Sequence, residues 1–189
     1  NLLFACKEHP ELVIASELCE DVWVPCPPSI RHMLAGATVI ANCSASDEVV
    51  GKDSYRRELI SGQSARLLSA YVYANAGEGE STQDLVFGGH NIIAETGTIL
   101  AQSKRFRPSA IYADLDIERL RSERRKTTTC PAPDQTGYKT IEFSLNTEEM
   151  EQCQKEKLLR YIDSRPFVPS DMSERSRRCE EIFMIQAMG

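Results

Sequence analysis

Four short apolar runs of strand length, the last three separated by segments with helical spacing, constrain this chain more than anything else in it. Residues 2–6 and 12–18 read as short buried strands, parted by a turn at His9-Pro10. Pro27-Pro28-Ser29 opens a short helix running to Leu34, since proline is tolerated in a first turn, and Gly36 ends it. Thr38 to Cys43 is a third buried strand. A helix then runs from about Lys52 to Ala70, with Leu59, Ile60, Leu67 and Leu68 at helical spacing, and Tyr71 to Asn75 returns to strand. This alternation predicts an α/β fold, a sheet with helices packed on it.

The second half is more broken. Gly77 to Ser81 reads as a loop, and Val86-Phe87, Asn91–Glu95 and Ile99–Ser103 as short strands, with a hairpin turn at Gly97. Ala110–Leu115 reads as another strand and Ile117–Arg125 as a helix. Arg119, Arg121, Arg124, Arg125 and Lys126 interleave with Glu118 and Glu123, the pattern of a solvated helix face. Residues 126–139 read as loop and Thr140–Ser144 as a last strand. A tail follows, with polar helices expected over Glu148–Ile162 and Asp171–Ala187, the second capped by Ser170 or Ser173. The expected division is therefore a sheet domain over 1–145 and a helical linker over 146–189.

Composition excludes several functions. The net charge of −6 and pI near 5.2 leave no basic field for a nucleic-acid backbone. The longest apolar stretches, such as Ala35 to Ala41, are far too short for a membrane span, and no signal peptide is visible, so a cytoplasmic location is expected. Seven cysteines without a Cys-x-x-Cys pair, and three histidines at no ligand spacing, argue against zinc. Most of the thiols are expected to be reduced and buried. Both ends, at Asn1 and Gly189, fall beside apolar runs, and the chain reads as a piece of a longer protein.

Cys19 is the residue that suggests chemistry. It follows the apolar run Leu12–Ala15 and Ser16-Glu17-Leu18, and leads directly into Glu20-Asp21-Val22-Trp23. A thiol at the carboxyl end of a strand stands where α/β folds place their sites. The adjacent carboxylates alone would raise its pKa, so a nucleophilic thiol here needs a cation or base from elsewhere. On the residues themselves, a reactive nucleophile and a structural thiol both remain open.

The wider run resolves toward a family. Glu17 to Pro25 with Pro27-Pro28-Ser29 resembles the nucleophile segment of the nitrilase superfamily, specifically the glutaminase domain of glutamine-dependent NAD synthetases. The resemblance continues through Ala41 to Ser46, Gly51-Lys52, Ala70 to Thr82, Asp84 to His90, Glu95-Thr96-Gly97, Ser122 to Arg125, and Glu180 to Gly189. It implies a partial nitrilase-type αββα sandwich, a mixed sheet with helices on its outer face, followed by C-terminal linker helices.

It also implies a mechanism, in which a glutamate base, an oxyanion-stabilising lysine and a cysteine nucleophile release ammonia from glutamine for NAD synthesis. Cys19 matches the nucleophile. Glu20 matches a position that helps hold the substrate's α-amino group, Ser46 a glutamine-contacting serine, and Lys52 an arginine near the substrate carboxylate. The base and the oxyanion lysine have no match among the eighteen residues before Cys19. Nor does a Ser-Gly-Gly-x-Asp-Ser pyrophosphate loop occur. The chain is thus expected to lack an upstream half-domain and a downstream synthetase domain that would carry ATP and magnesium. No cofactor is expected in the chain itself; alone it should be inactive and self-associate through uncovered surfaces, and relatives imply a homo-oligomer. The competing readings are another nitrilase-superfamily amidase or carbamoylase, and a non-catalytic assembly module.

Overall fold

The computed structural model describes residues 1–107, 109–146, 158–169 and 171–189. Seven strands form one mixed sheet: β1 (Leu2–Cys6), β2 (Val13–Leu18), β3 (Val39–Ser44), β4 (Ala70–Asn75), β5 (Ile92–Glu95), β6 (Thr98–Gln102) and β7 (Lys139–Phe143). Their spatial order is β6-β5-β4-β3-β2-β1-β7. Strands β2, β3 and β4 are mutually parallel, as are β1 and β7, while β1–β2, β4–β5 and β5–β6 are antiparallel. Within β2-β3-β4 the connections between parallel neighbours carry the helices α1 (Pro28–Leu34) and α2 (Lys52–Arg66), the crossovers that parallel pairing requires.

Strand alternation sorts the core into two faces. Ala15, Ile40, Tyr71 and Tyr73 join Ile60 and Leu67, at the end of α2, in the main buried cluster. Val39 and Ala70 point the other way, onto Leu120 of α3 (Ile117–Lys126), with Ile14, Val72 and Leu115 around them. Farther along that second face nothing among the described residues covers Ser16, Leu18, Cys43 or Ala74, all exposed. A mixed sheet carrying helices, with one face only part-covered, agrees with the expected partial sandwich.

Several expectations need correction. Helix α2 stops at Arg66, short of Ala70, because Leu68 turns into positive φ (46°) and Ser69 N–H bonds back to Ser64 O, freeing Ala70 to pair in the sheet. Val86-Phe87 is no strand; Phe87 makes only an isolated bridge to Asp47. Residues 110–115 form no strand and join no ladder of the sheet. Arg124 does not lie on a solvated face. It reaches under α3 to donate to Leu67 O, Leu68 O and Ala37 O, capping the carboxyl end of α2, and burial lowers its pKa.

All six described cysteines are free, but Cys6 alone is buried; Cys26, Cys43 and Cys179 are exposed. The helix expected over 148–162 falls largely on residues outside those described, and 158–162 are not helical. Within that stretch Arg160 pairs with the buried Glu95 at 2.6 Å and so ties the tail to the sheet. The last helix, Met172–Met188, is capped by Asp171, which accepts from Glu174 N–H. Ser173 lies inside its first turn, bonded to Asp171, and Ser170 is outside the described residues. No residue of that helix is buried. No described helix is long and apolar enough to cross a membrane.

Candidate active site

Because β2, β3 and β4 are parallel and in step, their carboxyl ends coincide: Leu18 lies beside Cys43, and Ser44 beside Asn75. The segments that follow these strands therefore gather at one edge of the sheet. Cys19 is the first residue past β2. It takes φ = 47°, a left-handed conformation that costs an L-residue about 1–2 kcal/mol. A turn of 3-10 helix, Cys19–Trp23, follows. Two bonds hold the bend: Asp21 Oδ2 accepts from Leu18 N–H at 2.7 Å, and Asn42 Nδ2 donates to Cys19 O at 3.5 Å. Cys19 is half-buried and Glu20 exposed.

Trp23 joins this turn to the start of α2. Its ring lies 5.4 Å from that of Tyr55, and Lys52 Nζ sits 5.6 Å from its centroid, within cation–π range. Lys52 also lies 2.6 Å from Asp47 Oδ1, and this bond holds the Asp47 carboxyl below its ordinary pKa. The charge expected to meet a substrate carboxylate thus already has a partner on its own loop.

Ser46 is buried in that loop. Asn75, at the end of β4, holds its backbone at both ends: Oδ1 accepts from Ser46 N–H at 2.8 Å and Nδ2 donates to Ser46 O at 3.0 Å. The Ser46 hydroxyl accepts from Arg56 Nη2 at 3.4 Å. Arg56 is wholly buried, with Nη1 2.8 Å from Glu48 Oε1 and 3.2 Å from His90 Nδ1. A guanidinium only donates, so His90 Nδ1 accepts. Burial, then the Arg56 charge, keep the His90 pKa below its ordinary value. Gly88 packs so closely on Glu48 that a Cβ there would lie 2.7 Å from Oε1. Gly77 also serves close packing: a Cβ there would meet Gly89 Cα at 3.2 Å.

The structure therefore brings Cys19, Glu20, Ser46 and Lys52 to one sheet edge. Neither His32 nor His90 is free to serve there as a base. His32 spends Nδ1 on Tyr138 OH (2.8 Å) and Nε2 on Ser16 O (3.1 Å), and His90 is engaged by Arg56. Sequence reasoning missed Glu17, Asn42, Arg56 and Asn75. The available signal was a polar residue at a position that strand alternation assigns to the buried face, as at Glu17 and Asn42. Among the described residues no group of three or more His, Cys, Asp or Glu side chains could hold a metal ion. A cleft of about 630 Å³ lined by Arg121, Arg124 and Cys130 lies at the amino ends of β2 and β3, away from Cys19. Its cations are largely committed, Arg124 to carbonyls and Arg121 to Glu11.

No family model matches the chain. The glutamine-dependent NAD(+) synthetase of Mycobacterium bovis is 42% identical over 198 residues, covering the whole of this chain and 28% of the relative. The enzyme of the same name from Rattus norvegicus is 32% identical over 143 residues, 72% of this chain and 20% of its own length. The chain thus spans less than a third of these relatives. Among solved structures, Saccharomyces cerevisiae Nit3, a nitrilase-superfamily member, matches with a TM-score of 0.54 at 20% identity over 63% of this chain and 43% of Nit3. A carbon-nitrogen hydrolase from Helicobacter pylori matches with 0.52 at 19% identity, over 60% of this chain and 43% of the hydrolase. At such identities these two speak for the fold. Sequence and fold together place the chain in the glutamine-dependent NAD(+) synthetase family, as a segment of its nitrilase-type glutaminase domain.

Proposed function

We propose that this segment supplies the cysteine nucleophile and part of the glutamine-binding wall of an amidase site, and that the ammonia released serves NAD synthesis in the complete enzyme. The observation that carries this reading is the placement of Cys19. It is the first residue past a parallel strand, on a left-handed bend held by Asp21 and Asn42, at the sheet edge shared with the loop that bears Ser46 and leads into Lys52 of α2. A thiol presented this way can add to the glutamine amide carbon; ammonia then leaves, and water releases glutamate from the thioester.

Glu20 is assigned to the substrate's α-amino group, Ser46 to a glutamine contact, and Lys52 to the carboxylate end. Lys52 can serve only by sharing its charge between Asp47 and the ligand, and it lacks the two-pronged fork of an arginine. The glutamate base and the oxyanion lysine of the mechanism would come from outside these 189 residues, so the isolated chain should not turn over glutamine. ATP and magnesium belong, on this reading, to the synthetase portion of the complete enzyme, and the enzyme would assemble as a homo-oligomer through faces of the nitrilase-type fold. Treating the full-length enzyme with a diazo-ketone analogue of glutamine tests the assignment. Mass should appear on Cys19 and be blocked by excess glutamine; equal labelling of the exposed Cys26 and Cys43 would refute it.

A further inference from the structure

The segment that carries Cys19 leaves the sheet at the end of β2 and returns to the body of the protein at the start of α1. Its two roots are joined by one side chain. Glu17, buried on the helix-covered face of β2, accepts from the backbone N–H of Ser29 through Oε2 at 2.7 Å. Its other oxygen accepts from the hydroxyl of Tyr71 in β4. Burial, and then the Glu17 carboxylate, hold the Tyr71 phenol well above its ordinary pKa, so it stays a donor. Ser29 is fixed a second time, its hydroxyl accepting from Gln63 Nε2 of α2 at 2.8 Å. Cys19 itself sits in a strained conformation that persists only where surroundings over-determine it.

We propose that Glu17 is a positioning residue for Cys19, its carboxylate clasping both ends of the nucleophile-bearing segment so that the strained bend holds the thiol in register with the ligand. The proposal rests on the nucleophile reading given above. It also defines what the side chain must supply, namely an acceptor aimed at Ser29 N–H rather than a negative charge. A glutamine can satisfy both partners, Oε1 accepting from Ser29 and Nε2 donating to the Tyr71 oxygen.

Labelling of Cys19 in the full-length enzyme by the diazo-ketone analogue separates ligand hold, read as the half-saturating concentration, from presentation of the thiol, read as the maximal rate. Glu17→Ala should lower the maximal rate by about tenfold or more with the half-saturating concentration little changed. Glu17→Gln should restore most of that rate, a rescue that a role through charge would not show. If Glu17→Ala fails to fold, as judged by circular dichroism, Glu17→Asp takes its place, being too short to reach both partners. A parental maximal rate in the folded Ala or Asp variant overturns the proposal. So does a Gln variant as impaired as Ala, or a failure of both Ala and Asp variants to fold. Absence of labelling at Cys19 in the unsubstituted enzyme would instead refute the nucleophile assignment itself.

Discussion

The guanidinium of Arg56, wholly buried in α2, lies 2.8 Å from the carboxylate of Glu48 in the loop that bears Ser46. Glu48 in turn receives Arg105 at 3.4 Å on its other oxygen. Removing one member of a buried ion pair strands the other charge, at a cost of about 3–5 kcal/mol. Glu48→Ala should therefore lower the stability of the domain by that order, read as a fall in the urea midpoint. A change within about 0.5 kcal/mol, the range of ordinary surface substitutions, would mean that the pair is not formed.

Two buried histidines, His90 in this cluster and His32 beside Tyr138, make stability depend on pH. Both His90 and His32 have pKa values lowered mainly by burial, so the folded state excludes a proton that the unfolded chain takes up near 6.5. Their contribution is complete above that value and is lost as pH falls below it toward the folded-state pKa. The urea midpoint should drop between about pH 7 and pH 5.5. His90→Gln, which keeps an acceptor for Arg56, should lessen the drop; an unchanged slope would show that His90 is not held neutral.

Asn75 holds Ser46 by donating to its carbonyl as well as accepting from its N–H. Asn75→Asp keeps the acceptor but sets a second acceptor against the Ser46 carbonyl. In the full-length enzyme this should raise the glutamine KM several-fold and leave ammonia-dependent synthesis intact. An unaltered KM would separate Ser46 from glutamine recognition.

Gly88→Ala tests the packing beneath that loop. The added methyl would fall 2.7–2.9 Å from three atoms of the Glu48 side chain, which two arginines hold in place. Overpacking of this kind costs about 1–3 kcal/mol, again read as a urea midpoint.

Much of this fold is legible in the sequence because the strands obey simple alternation. Ile40 and Tyr71 point to one face and Val39 and Ala70 to the other, and the helical spacing of Leu59 and Ile60 marks α2. The failures share a cause. Residues 110–115 have the composition of a strand, but a strand exists only where a neighbour supplies its hydrogen bonds, and local pattern carries no information about neighbours. Leu68 illustrates the other limit, since a left-handed leucine at a helix end is imposed by the surrounding bonds and not by propensity.

At the candidate site the thiol could be picked out, because its position after a strand and its neighbours are local features. The groups that fix it could not. Glu17 meets Tyr71 across 54 residues and Ser46 meets Asn75 across 29, and such pairings emerge only when parallel strands come into step. Lys52 shows the reverse error: its charge is visible in the sequence, its commitment to Asp47 is not.

The central claim is that Cys19 is the nucleophile that feeds ammonia to a separate synthetase site. Its most direct test compares NAD synthesis by the full-length enzyme and its Cys19→Ala variant, with glutamine or free ammonia as nitrogen donor. The account predicts that glutamine-dependent synthesis is abolished while ammonia-dependent synthesis continues at the parental rate. Glutamine-dependent synthesis that survives the substitution would contradict it.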